Sequence, residues 1–158
     1  MRPTFRAFVA AVALGCGVGA AGGAETSSFA RGRALFEKKC EDCHSLERAF
    51  DAQKDRAGWE SVIRRMIAKG AKLEKAQIAP LLAYVGARSA FESRCNGCLG
   101  LDRPLAAIKD PEQWQQTVRR MTAKRPGLLT DADAEAVGQY LTLVTLAEPG
   151  ASAPAEKR

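Results

Sequence analysis

The feature that most constrains this chain of 158 residues is an internal repeat. Sliding the sequence by 55 residues aligns it with itself, without a gap, over about 40 positions. Phe36 falls on Phe91, Cys40 and Cys43 fall on Cys95 and Cys98, and Leu46 falls on Leu101. Further on, Lys54-Asp55 meets Lys109-Asp110, Trp59 meets Trp114, and Arg64-Arg65-Met66 meets Arg119-Arg120-Met121. One extra residue in the second copy then brings Tyr84 opposite Tyr140. Too many rare residue types coincide for chance, so the chain carries two copies of one unit of about 55–60 residues. A unit of that size is marginal on its own core. It needs a covalent cofactor, docking of the two copies, or both.

Each copy reads as helical. Phe29, Arg33, Phe36 and Cys40 recur at helical spacing before the first cysteine pair. The run "GWESVIRRMIAKG" sets Trp59, Val62, Ile63, Met66 and Ile67 on one face, with Gly70 placed to end it. "EKAQIAPLLAYV" supplies a last helix with Ile78, Leu81, Leu82 and Val85 inward. In the second copy Asp110 caps a helix that has Pro111 in its first turn. Thr130 or Asp131 caps another, with acidic residues in its first turn. No strand pattern competes, so the expected fold is all-α: a tandem repeat of two small helical domains.

The first residues read as an export signal. Arg2 and Arg6 precede an apolar, Gly- and Ala-rich run too short to span a bilayer comfortably, and Ala20 or Ala24 suits cleavage. Cys16 within "ALGC" offers a weak lipoprotein alternative, which would tether the chain to a membrane. The expected division is a signal at 1–24, one unit at 25–86, a second at 87–147, and a Pro/Ala-rich disordered tail at 148–158. The net charge of +6 falls to +4 without the signal, which holds Arg2 and Arg6 and no acid. Basic and acidic residues interleave, which speaks against a nucleic-acid surface.

"CEDCH", residues 40–44, has a physical reason for its spacing. Two thiols three residues apart add to the two vinyl groups of haem, and the next His faces the iron. This is the attachment signature of c-type haem, with Cys40 and Cys43 as anchors and His44 as proximal ligand. Two other readings fit less well. One zinc shared by four cysteines would span equivalent places in two repeats, with 51 residues between Cys43 and Cys95. A thioredoxin-like pair would need a βαβ context that is missing.

The first copy, over about residues 28–87, resembles a class I cytochrome c. That family carries a Gly eight residues before the first Cys and an aromatic four before it, here Gly32 and Phe36. The resemblance implies a close crossing of the first helix with the last, whose aromatic is Tyr84. Trp59, Arg65 and Met66 carry a narrower likeness to the cytochrome subunits that serve periplasmic dehydrogenases. Two departures stand out: no Pro lies between Ser45 and Trp59, and the loop "GAKLEK" before the last helix lacks the usual distal Met.

His44 is the one histidine in the chain, so bis-His ligation within the chain is impossible. Of three methionines, Met1 belongs to the signal, and Met66 is the candidate sixth ligand. The alternatives are Lys69, Lys72 or Lys75 as ligand, a five-coordinate iron, or Met66 as an ordinary core residue. Trp59 packs on the haem or in the core. Arg64 and Arg65 pair with propionates or are solvated.

The second copy has Leu99 where the first has His44. It is expected to hold no haem, with Leu99, Leu101, Leu105 and Ile108 filling the space. Cys95 and Cys98 are then a local disulfide or two thiols. The expected function is that of a periplasmic c-type cytochrome, not an enzyme, that passes single electrons between redox proteins through one covalent haem c. Lys38, Lys39 and Lys72 are candidates to steer an acidic partner. The alternatives are a haem-based gas sensor or peroxidase-like protein with an open distal side, and a haem subunit of a periplasmic dehydrogenase complex.

Overall fold

A computed structural model describes residues 21–41, 45–46, 49–50 and 53–146, the side chains of 21–27, 98 and 99 excepted. The signal run with Cys16, the tail, and the cofactor candidates Cys43 and His44 lie outside the described residues. Within them the chain is all-helical, with no strand.

The first helix, α1 (Ala21–Cys40), buries Phe29 and Phe36, seven residues apart on one face. Lys38 and Lys39 in its last turn suit the negative end of the helix dipole. The second, α2 (Arg56–Ala68), starts where the Asp55 carboxylate accepts the Gly58 N–H at 2.8 Å. It buries Trp59 and Ile63 and stops at Gly70, whose φ of 105° suits glycine. Then α3 (Lys75–Ala90) buries Leu81, Leu82, Tyr84, Val85 and Ala87, with Ile78 half-buried beside them.

This third helix does not end at its last α-turn. A π-turn (Phe91–Cys95) and the short α4 (Asn96–Leu99) continue it with helical backbone at every junction, until Gly100 at φ 70° breaks the rod. After α5 (Asp102–Leu105) comes α6 (Pro111–Lys124). Here Asp110 accepts the Gln113 N–H at 2.8 Å, and the Gln113 side chain accepts the Asp110 N–H at 3.2 Å. The last helix, α7 (Asp131–Leu146), is capped by Thr130, whose hydroxyl accepts the Asp133 N–H at 3.1 Å. Asp110 and Thr130 are thus the caps that their residue types imply.

Helix α1 packs along α3, α6 along α7, and α3 against α7. One hydrophobic cluster runs through all of them, from Phe29 to Leu141. The expected boundary between residues 86 and 87 falls inside α3, between buried Val85 and buried Ala87.

Contacts recur at the repeat spacing. Phe36 meets Tyr84 with ring centroids 6.0 Å apart, and Phe91 meets Tyr140 at 5.7 Å. Arg33 Nε bonds Glu37 at 2.8 Å, and Arg88 Nε bonds Glu92 at 2.7 Å. Lys54 lies 5.6 Å over the Trp59 ring, and Lys109 lies 5.7 Å over that of Trp114. The same helix therefore plays two parts. Tyr84 is the last-helix aromatic opposite Phe36, and 55 residues after Phe29 it also stands in first-helix register. Its ring contacts that of Tyr140 at 5.9 Å and joins the two halves.

The crossing of α1 over α3 depends on Gly32. A Cβ there would overlap the Pro80 carbonyl oxygen and lie 2.9 Å from Tyr84 Cβ, so backbone is the obstacle. We expect Gly32→Ala to cost about 3 kcal/mol of stability by forcing these helices apart. Denaturant unfolding checks this, and an unchanged midpoint would contradict it.

Candidate functional site

Cys40 is the last residue of α1, half-buried and packed against the core one turn after Phe36. Leu46, Ala49 and Phe50 follow it against the same core. Phe50 ties this segment down. Its ring meets Phe36 edge-on at 5.3 Å and Trp59 at 5.1 Å, and the Arg88 guanidinium lies 3.9 Å over it. Phe36, Phe50 and Trp59 thus form one apolar wall between the end of α1 and the start of α2. The lowered dielectric of such a wall strengthens any polar contact made beside it.

Trp59 is 3% exposed, and its indole N–H has no hydrogen-bond partner among the described residues. An N–H buried in this way costs about 1–3 kcal/mol, so native structures rarely leave one. The equivalent Trp114 is 1% exposed, and its N–H bonds Thr145 Oγ1 at 2.9 Å. The two repeats thus place the same indole at the same register, and only the first leaves its donor open.

Met66 is half-buried and belongs neither to the core cluster nor to the side chains flanking it. The same holds for Met121. Trp59 and Ile63 fill the core from α2, while Val62 and Ile67 flank it. A gap-filling core role for Met66 is therefore set aside. Lys69, Lys72 and Lys75 are exposed. Arg64 is exposed and paired with Glu60 one turn earlier, and Arg65 is exposed, so both belong to the solvated surface of α2.

In the second repeat Cys95 is half-buried and packs against the core, as Cys40 does. Leu101 and Leu105 also pack there. Ile108 does not. It is 81% exposed, which corrects its expected place among the residues that fill this repeat. The reason is local: the next residue, Lys109, covers Trp114, and the indole with Leu105 and Ala107 already occupies the space below. Among the described residues no group of three or more His, Cys, Asp or Glu is arranged to hold a metal ion. No helix among them is long and apolar enough to cross a membrane.

Sequence reasoning passed over Phe50, Arg88, Ser89 and Thr145. The 55-residue shift carries a signal for Arg88, because it also lays Arg33 on Arg88 and Glu37 on Glu92. Phe50 has no such signal, since Leu105 stands at its place in the second copy.

Beside the wall, Tyr84 and Tyr140 meet in the core with their rings tilted by 51°. Burial pushes both phenols above their usual value. The Arg88 guanidinium opposes the rise at both tyrosines, and for Tyr140 the neighbouring Tyr84 adds to it. A phenol whose folded pKa is raised contributes stability that is intact below its unfolded pKa of about 10 and is lost as pH climbs toward the folded value. These are the two tyrosines of the chain. We therefore expect phenolate absorbance to appear above about pH 10 together with loss of helical circular dichroism. Phenolate that forms while the helices persist would contradict this burial.

Comparison of the chain with protein-family models, with curated proteins and with solved structures finds no match.

Proposed function

We propose that this chain is an exported c-type cytochrome that carries single electrons between periplasmic redox proteins. In this reading it is a tandem of two cytochrome c-like units that share helix α3. One haem c is held by thioether bonds to Cys40 and Cys43, with His44 as proximal ligand. Met66 is the sixth ligand. The second unit has Leu99 in place of the histidine and serves as a haem-free shell. Residues 1–24 direct export, and Cys16 is the alternative lipid anchor.

The observation that carries the reading is the open indole N–H of Trp59. A buried donor needs an acceptor, and the haem-free repeat supplies one from its own Thr145. The repeat that owns "CEDCH" supplies none among the described residues. A propionate oxygen of a haem bound at Cys40–His44 satisfies that donor. Two further features suit the same group. Cys40 ends a helix beside the Phe36–Phe50–Trp59 wall, and Met66 stands off the packed core on the helix that carries Trp59.

When bound, the haem supplies a one-electron couple at its iron, with the potential raised by thioether ligation. The chain does the rest. Phe36, Phe50 and Trp59 exclude water from one side of the site. Trp59 orients a carboxylate through its N–H. Lys38 and Lys72 are exposed and present positive charge to an acidic redox partner.

The visible spectrum of the exported protein tests the reading. We expect c-type haem bands, and a weak thioether-to-iron band at the red end of the oxidised spectrum. Met66→Ala should lose that red band and keep the covalent haem. A haem protein whose red band survives Met66→Ala would overturn the ligand assignment, and a colourless exported protein would overturn the function.

A further inference from the structure

Both repeats set a hydroxyl at the same register of their last helix, Ser89 in α3 and Thr145 in α7. The two hydroxyls are engaged differently. Thr145 accepts the Trp114 N–H at 2.9 Å and donates to the Leu141 carbonyl of its own helix at 2.8 Å. Ser89 donates to the Lys54 carbonyl at 2.7 Å, across 35 residues of sequence. Trp59 finds no acceptor for its N–H among the described residues. The lysines do not distinguish the repeats, because Lys54 and Lys109 cover their indoles at 5.6 and 5.7 Å. What differs is where the hydroxyl is spent.

Ser89 is 3% exposed, so its proton must go to an acceptor inside the fold. The acceptor lies on the segment that leads into α2. Asp55 comes next and caps that helix through Gly58, and the Asp55 carbonyl accepts the Trp59 backbone N–H at 3.0 Å. A short covalent and hydrogen-bonded chain thus runs from Ser89 through Lys54 and Asp55 to Trp59.

We propose that Ser89 is a positioning residue for the cofactor. By clasping the Lys54 carbonyl it holds residues 53–55 against α3. This keeps the Trp59 N–H as the donor that seats one carboxylate of the prosthetic group, with the Lys54 ammonium over the face of the same ring as a nearby positive charge. The proposal rests on the haem reading above, in which that carboxylate is a propionate. In the second repeat Thr145 closes the corresponding indole, so no such seat exists there.

The clasp has a sign. An N–H and an ammonium beside a propionate offset negative charge near the iron and favour the reduced state. Loosening them lowers the midpoint potential. The test uses the haem-loaded full chain, labelled with nitrogen-15, and compares Ser89→Ala with Ser93→Ala. Ser93 is the control, because its hydroxyl bonds only the Ser89 carbonyl one turn back in the same helical rod. We expect Ser89→Ala to lower the midpoint potential and to move the Trp59 indole resonance while that of Trp114 stays in place. Ser93→Ala should move neither. Unchanged potential and unchanged Trp59 resonance in Ser89→Ala, at wild-type haem content, would overturn the clasp.

Lys54→Gln gives a second arm if Ser89→Ala does not load haem. It leaves the clasped carbonyl in place and removes the ammonium, so a lowered potential supports the seat and an unchanged one overturns it. A wild-type chain without covalent haem overturns the functional reading itself. A loaded chain indifferent to both substitutions overturns the seat alone.

Discussion

The crossing of α1 over α3 is the contact on which the remaining structure is built. Gly32 has no side chain, so the backbone of α1 comes down onto the Pro80 carbonyl and the Cβ of Tyr84. That closeness lets Phe36 reach Tyr84 from one side while Tyr140 reaches it from the other. A wider crossing would open the centre of the hydrophobic cluster that joins the described helices. The end of α1, with Cys40, is held in place by the same contact.

Because α3 runs unbroken into the π-turn and α4, one helix serves both repeats. This answers the stability problem of a 55–60-residue unit, whose own core is marginal. The second repeat contributes Trp114, Val118, Val137, Tyr140 and Leu141 to the common core. Loss of those side chains would strip the far face of the helix against which Phe36 packs. A repeat with Leu99 at the place of His44 therefore still has a physical role, which is to complete the core of the first.

Much of this was legible in the residues. Asp110 sits where a capping aspartate belongs, and the resemblance to class I cytochromes c implies the close crossing that Gly32 makes beside Tyr84. The sharing of α3 was not legible, because a self-alignment compares positions and cannot say whether two aligned roles fall on one helix. Only the double register of Tyr84, against Tyr140 and against Phe29, hints at it. Ile108 was misplaced because an apolar residue beside a cysteine motif looks like filler, while Lys109 and Trp114 had already closed that space. Met66 and Met121 share one periodicity with true core residues, and periodicity does not separate the core from its edge. The open N–H of Trp59 depends on which acceptor a hydroxyl chooses, a choice that no spacing rule encodes.

The central claim is that one of two equivalent helical frames holds one covalent cofactor. Intact-mass measurement of the exported protein, followed by mapping of its peptides, tests this most directly. The account predicts the mass of one haem per chain, carried on the peptide with Cys40 and Cys43 and absent from the peptide with Cys95 and Cys98. An unmodified chain, or a second haem on the Cys95–Cys98 peptide, would contradict it.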